Sequence, residues 1–313
     1  MATVGGLLGE AIGRAAHLGE PPPLVCAGRT DAGVHATGQV VHVDLPATYA
    51  GDLARAVNRQ LAPSVVVRRA AVAPDGFDAR RSATSRRYRY LVWSSPVPEP
   101  LLAGLAWHVP HQLDLRAMAA ASDPLLGEHD FRAFCRRPPG RGSDEPIVRR
   151  VTSVSWSEVP AGWIRSPDGA LGGAEPSEGP ALRATVGGGG SGSPSEWAPV
   201  LLRFDIAASS FCHQMVRSVV AVLVDAGRGR TTAARVMELL AAGSRAGTPK
   251  PAPPHGLCLV AVDYGERRGA PASPGTEDGA GLASAPPATR APGATSTGAL
   301  RSGGGLSGSE PDR

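Results

Sequence analysis

Residues 26–42 read CAGRTDAGVHATGQVVH and run from the end of one predicted strand into the start of another. The apolar residues 24–27 indicate a short buried strand that ends at Gly28, and residues 39–45 indicate a second strand. The segment between them is therefore a loop at a strand end. Gly28 and Gly33 can adopt backbone conformations closed to other residues, so this loop presents its side chains with little crowding.

The loop carries Arg29, Thr30 and Asp31 in direct succession. Loops held by a rigid scaffold are where catalytic and binding side chains concentrate, so Asp31 is a candidate catalytic carboxylate. The same residues also fit a tight turn in which Asp31 only accepts hydrogen bonds from nearby backbone amides. Residue types alone leave both interpretations open.

Periodicity along the rest of the chain predicts a β-rich α+β fold. The spacing of apolar residues predicts helices over residues 4–16, 50–61, 116–126 and 209–226, with Gly227 as a C-cap. Alternating or β-branched residues predict strands over residues 65–71, 87–93, 151–159 and 200–206. We expect two similar halves, each a mainly antiparallel sheet with helices on one side, and the two sheets meeting around a central basic cleft.

The predicted domains are an N-terminal catalytic half over residues 1–104 and a C-terminal half over 105–264. A Gly-, Pro- and Ser-rich stretch at about 165–196 predicts a flexible low-complexity insertion in the second half. Residues 265–313 contain no aromatic side chain and too little apolar surface to offset the entropy of ordering. We therefore expect a disordered tail at 265–313.

Charge and cysteine content narrow the class of protein. The net charge is +4, and Lys250 is the single lysine, so the positive charge is almost wholly arginine. Arginine binds phosphate in a bidentate manner and stacks on bases, which fits a nucleic-acid partner, although a GC-rich genome also favours arginine.

The four cysteines form no CxxC pair, so neither a zinc site nor a disulfide framework is indicated. We expect a cytoplasmic protein, since no apolar run reaches the roughly 18 residues of a membrane span.

Residues 26–42 resemble the catalytic segment of the tRNA pseudouridine synthase A family almost letter for letter. Further matches follow in the family's order. They are FDARRSATSRRYRY at 77–90, LLGEHDFRAF at 125–134, FCHQMVR at 211–217 and PAPPHGLCLVAVDY at 251–264. The resemblance runs from about residue 3 to residue 264, and it implies an isomerase that converts uridine to pseudouridine in tRNA.

The resemblance also assigns roles to individual residues. It makes Asp31 the catalytic nucleophile, Tyr88 the substrate-binding tyrosine, Arg29 a residue that helps displace the target base, and Arg217 the basic partner of Asp31. It implies uridines 38, 39 and 40 in the anticodon stem-loop as targets, a homodimer as the assembly, and no cofactor. Without the resemblance, Tyr88 fits ordinary packing and Arg217 fits a helix surface.

Arginines flank the Tyr88 strand, and we take Arg80 and Arg87 as candidate RNA contacts. His213 is interpreted as structural or RNA-contacting, because its neighbours offer no metal-ligand spacing. Cys212 beside it is interpreted as a packing residue and not as a nucleophile paired with His213, because adjacent residues of a helix face different directions. Relatives begin with a strand that precedes the motif at which this chain starts, so we expect that first strand to be missing here. Two explanations are open: a start codon placed too late, which we favour because the other motifs are complete, and a real truncation. The alternative function is therefore an N-terminally truncated, catalytically inactive tRNA-binding protein.

Overall fold

The computed structural model describes residues 3–46, 49, 51–136, 145–160 and 197–265. These residues all belong to one compact unit, Met1–Ser273. The insertion predicted at about 165–196 lies outside the described residues, as does all of the predicted tail beyond residue 265. Within the described ranges, no helix is long and apolar enough to cross a membrane.

The longest strand of the first half, β4 (Ser85–Ser94), lies near the middle of a seven-stranded sheet. Its side chains alternate in burial: Tyr88, Tyr90 and Val92 are buried, while Arg87 is exposed. This period of two places Tyr88 and Tyr90 on the core face of the sheet and Arg87 and Arg89 on the opposite face. The alternation predicted for residues 87–93 is confirmed.

Six further strands complete this sheet, and two of them, of 12 and 9 residues, are long. They are β2 (His35–Ala36), β5 (Trp107–Val109), β6 (Gly127–Asp130), β7 (Val148–Val159), β8 (Val200–Ala208) and β9 (Leu257–Asp263). The order across the sheet is β2-β9-β4-β8-β7-β6, and β5 pairs with the far end of β4. Most pairs are antiparallel, but β2 with β9 and β4 with β5 are parallel.

Three helices from the second half of the chain belong to the same apolar core as the buried face of this sheet. They are α3 (Leu115–Ser122), α4 (Met215–Gly227) and α5 (Ala233–Ala242). Trp156 of β7 packs on Phe204 of β8 and donates its indole N–H to Ser122 of α3 at 3.1 Å. This bond satisfies a polar group that the packing would otherwise bury unpaired.

A smaller apolar cluster forms around the first elements of the chain. Helix α1 (Val4–Ala15) and helix α2 (Leu53–Leu61) pack together through Leu8, Ile12 and Val57. Beside them, β1 (Val25–Cys26) and β3 (Val41–His42) form a separate two-stranded antiparallel sheet. Both helices begin at side-chain caps, Thr3 for α1 and Asp52 for α2, as their sequences favour.

Several sequence predictions need correction. Residues 65–71 are not a strand: the backbone N–H and C=O of Val67 pair with the Asn58 side chain, at 2.7 and 2.8 Å, instead of with a neighbouring strand. Helix α4 begins at Met215 and not at residue 209, because Gln214 adopts a left-handed conformation (φ 64°) that interrupts a helix. Its C-cap is Arg228, one residue beyond the predicted Gly227.

The mixed character of the fold and its mainly antiparallel pairing are confirmed. Strand β4, from the predicted first half, pairs on its two sides with β8 and β9 from the predicted second half. The described strands of the two halves therefore form one continuous sheet across residue 104. The division into two halves around a basic cleft stays a prediction.

Candidate active site

The loop that carries Asp31 is closed at its base by hydrogen bonds. The Ala27 N–H donates to the Val40 carbonyl at 2.9 Å, and the Gln39 side chain donates to the Gly28 carbonyl at 2.7 Å. Nearer the tip, the Val34 N–H donates to the Asp31 carbonyl at 3.1 Å. These bonds hold the backbone on both sides of Asp31.

The two loop glycines serve different purposes. Gly33 has φ +80°, a left-handed conformation that favours glycine, and a Cβ there would lie 3.1 Å from the Pro254 ring. Gly28 does not lie in the left-handed region, contrary to the expectation for it. A Cβ at Gly28 would be 3.7 Å from the Tyr88 hydroxyl, so the backbone of the loop at Gly28 lies close to that hydroxyl.

The Asp31 carboxylate contacts two basic side chains, one at each oxygen. Arg217 donates from Nη1 to Oδ2 at 2.8 Å, and His213 Nε2 lies 3.3 Å from Oδ1. The Asp31 side chain is 27% exposed and that of Arg217 is 13% exposed, so solvent screens this ion pair only partly. The predicted pairing of Asp31 with Arg217 is present in the structure.

Arg217 is itself held in place by residue 252. Its Nε donates to the Ala252 carbonyl at 2.7 Å, and the Ala252 N–H donates back to the Arg217 carbonyl at 3.0 Å. Arg217 lies in the first turn of α4, where the positive end of the helix dipole adds to its charge. These contacts hold the guanidinium and its charge against the Asp31 carboxylate.

His213 contacts Asp31 from the loop over residues 209–214 that precedes α4. Sequence reasoning did not assign this contact. A signal was present, because His213 lies four residues before Arg217, and a helix starting at residue 209 would have placed both on one face. The structure achieves the same juxtaposition with a loop.

Tyr88 lies close enough to Asp31 for the two side chains to interact electrostatically, and it is 8% exposed. Its ring meets Phe211 edge to face, with centroids 5.0 Å apart. Burial raises the pKa of Tyr88 to about 12, and the neighbouring Arg86 opposes that shift. The phenol is therefore neutral at physiological pH, and its hydroxyl makes no hydrogen bond to any residue that the structure describes.

The predicted arginines occupy different positions. Arg29 is exposed on the loop two residues before Asp31, and Arg80 is exposed in the turn that leads to β4, with its N–H donating to Asp78 at 2.8 Å. Arg87 is exposed on the face of β4 opposite Tyr88, so the structure does not bring it to Asp31. None of these positions conflicts with contact to an extended RNA backbone.

One cysteine pair corrects the sequence-based interpretation. Cys135 and Cys212 form a disulfide, with Cα atoms 5.8 Å apart, within the range that such a bond spans. The sequence indicated no pairing because 77 residues separate them. Within the described part of the chain, no three His, Cys, Asp or Glu side chains form a group that could hold a metal ion.

Known proteins resemble this chain over most of its length. A family model described as tRNA pseudouridine synthase matches residues 121–265. The tRNA pseudouridine synthase A of Frankia casuarinae is 39% identical, covering 84% of this chain and 81% of its own. Proteins of the same name from Verminephrobacter eiseniae and Mycobacterium leprae are 35% and 36% identical; they cover 86% and 78% of this chain and 88% and 76% of their own.

Proposed function

Because this chain belongs to the tRNA pseudouridine synthase A family, we propose that it is an isomerase that converts uridine to pseudouridine in tRNA. The observation that carries the proposal is the Asp31 carboxylate held between Arg217 and His213, with the neutral phenol of Tyr88 beside it. A carboxylate and a phenol supply the groups that this isomerisation needs. No redox step and no cofactor enter the reaction.

The isomerisation breaks the bond between uracil N1 and ribose C1′ and forms a bond between C5 and C1′. The proton on C5 leaves, and N1 gains a proton, so atoms and charge balance. Asp31 acts as the nucleophile toward the sugar or the base, or stabilises an electron-poor C1′ as carboxylates do in glycosidases. Each of these roles uses a carboxylate, and the Arg217 guanidinium holds that of Asp31 in place as its ion-pair partner.

The two carboxylate oxygens of Asp31 have different surroundings. Oδ2 accepts the hydrogen bond from the nearly buried Arg217, while Oδ1 faces the half-exposed His213 at a longer distance. We assign the reacting role to Oδ1, because it is the less tightly held oxygen and lies on the more open side. Arg217 then fixes the carboxylate through Oδ2 and leaves Oδ1 for the substrate.

The uracil ring packs against Tyr88 in this proposal. Tyr88 offers its hydroxyl for a proton relay from C5, since that hydroxyl makes no hydrogen bond to the described protein residues. A uridine in a stem must leave its stack to reach Asp31, and the cost is offset by contacts to the flipped base and the backbone. Arg29 helps to displace the base, and Arg80 and Arg87 contact RNA phosphates.

By family resemblance, the targets are uridines 38, 39 and 40 of the anticodon stem-loop, and the enzyme is a homodimer. Tritium release from C5-labelled uridine in tRNA tests the activity. The wild-type protein should release tritium, and Asp31→Asn should bind tRNA without release. Asp44→Asn, an exposed aspartate in the same part of the chain, should turn over normally. Transcripts that lack one of the three uridines identify the positions modified.

The same assay distinguishes this enzyme from the alternative, an inactive tRNA-binding protein. It requires that the wild-type protein bind tRNA and release no tritium. Release that persists in Asp31→Asn would instead show an active enzyme with a different catalytic residue.

A further inference from the structure

We propose that Arg86 is a positioning residue that holds the loop of Asp31 in register with the loop of Phe211 and His213. The inference rests on the proposed role of Asp31. It concerns a guanidinium that does not touch Asp31 and that takes no part in the chemistry described above.

Arg86 is 8% exposed, and its guanidinium donates to four backbone carbonyls. Nη2 donates to Ala27 at 3.2 Å and to Arg80 at 2.6 Å. Nη1 donates to Ala83 at 2.9 Å and to Ser209 at 2.8 Å. One side chain thus connects three separate stretches of backbone.

Two of these four carbonyls belong to residues at the start of the two loops that form the Asp31 site. Ala27 directly precedes Gly28, where the Asp31 loop starts, and Ser209 begins the 209–214 loop that carries Phe211 and His213. The two loops meet at the contact between Asp31 and His213. A shift of either carbonyl would therefore change the spacing at that contact.

The charge of Arg86 is not balanced by an acidic side chain. Among the described residues, no carboxylate forms an ion pair with it. Burial lowers the pKa of the Arg86 guanidinium, as expected for a cation removed from water. A buried unpaired cation is a poor source of stability, so its retention is better explained by the planar fork. That fork can address four acceptors in fixed directions, whereas the single nitrogen of lysine cannot.

The position of Arg86 on β4 supports the same conclusion. Arg86 lies two residues before Tyr88, so both side chains point to the core face of the strand. Tyr88 in turn contacts Phe211 and lies close to Gly28. The strand therefore contributes Tyr88 to the candidate site and Arg86 as the residue that fixes the two loops.

The test compares Arg86→Lys and Arg86→Ala with the wild-type protein under saturating tRNA. We expect turnover to fall on the order of 100-fold in both, since small misplacements of reacting groups have effects of that size. We expect tRNA affinity to be unchanged, because Arg86 is buried. Millimolar methylguanidinium should restore turnover to Arg86→Ala by occupying the vacated space.

Two controls separate positioning from a loss of stability. Leu239→Ala removes a buried side chain of α5 and should lower the melting temperature while leaving turnover per folded molecule unchanged. Arg235→Lys alters an exposed arginine of α5 and should change neither. Wild-type turnover in Arg86→Lys, or a loss in Arg86→Ala that only follows its unfolded fraction, would overturn the inference. If the wild-type protein itself releases no tritium, the proposed function fails instead.

Discussion

Arg217 bonds Asp31 with one nitrogen and the Ala252 carbonyl with another, so the carboxylate is tied to a fixed point of the backbone. The distances are 2.8 Å from Nη1 to Oδ2 of Asp31 and 2.7 Å from Nε to the Ala252 oxygen. A lysine would keep the charge but could not make both bonds in this geometry. The guanidinium shape is therefore part of the site, in addition to its charge.

Arg217→Lys should reduce turnover about 10- to 100-fold, the range expected when a charged hydrogen bond of 1.5–3 kcal/mol is lost. Tritium release at saturating tRNA measures the effect. Arg235→Lys is the matched control, since it makes the same replacement on the exposed face of α5. Turnover in Arg217→Lys equal to that of the control would show that charge alone suffices.

His213→Ala should reduce turnover about tenfold, because it removes a polar group at hydrogen-bond distance from Oδ1 of Asp31. His213→Gln keeps a side-chain N–H donor of similar reach and should recover part of the loss. Single-turnover rates with labelled tRNA distinguish the two variants. Equal rates for alanine and the wild type would remove His213 from the mechanism.

Tyr88→Phe should keep the edge-to-face contact with Phe211 and lose the proton relay. Turnover should fall about 10²-fold or more, as is usual when a general acid or base is removed, with tRNA binding retained. Tyr264→Phe is the control, since the Tyr264 hydroxyl donates to the Ala79 carbonyl at 2.9 Å, and this change should lower only stability. A fully active Tyr88→Phe would exclude the hydroxyl as the relay.

Alkaline pH should destabilise the protein through its buried tyrosines. Burial raises the pKa of Tyr88 to about 12 from its ordinary value of 10.0, so the unfolded chain ionises first. The contribution is complete below pH 10 and is lost as the pH rises toward 12, with a magnitude of about 3 kcal/mol for Tyr88.

Urea unfolding at a series of pH values above 9 measures this dependence. Tyr88→Phe should show a shallower loss of unfolding free energy than the wild type. Part of the loss should persist, because burial also raises the pKa of Tyr264 to about 12. An unchanged slope in Tyr88→Phe would contradict the assignment.

Gly38→Ala should destabilise the protein by about 2 kcal/mol or more, because a Cβ there would overlap the Val260 carbonyl group. The neighbouring backbone cannot easily move, since the Thr37 and Gly38 N–H groups both donate to the Leu259 carbonyl of β9. Gly5→Ala, in open space on α1, should be neutral or stabilising by several tenths of a kcal/mol. Thermal unfolding of both variants provides the comparison.

Local sequence patterns identified the elements whose burial follows a simple period. The alternation around Tyr88 predicted β4, and the apolar spacing after residue 4 predicted α1, whose Thr3 cap is also a local signal. Residues 65–71 had the β-branched content of a strand but do not pair with any strand that the structure describes, and Asn58 bonds the backbone of Val67 instead. Pairing is a property of two segments, so strand content alone could not decide it.

Sequence alone determined that Asp31 lies in a glycine-bounded loop after a short strand, and which family motif that loop resembles. The family resemblance also named Arg217 as the partner of Asp31, but only the tertiary structure decided what else surrounds Asp31. His213 and Arg217 come from a region more than 180 residues away, and Arg86 joins the two loops through backbone carbonyls that carry no residue-specific signal. These contacts form only when distant segments of the chain pack together, and the position of His213 also depends on the left-handed conformation of Gln214. The spacing of residues within one segment does not predict which distant segments will meet.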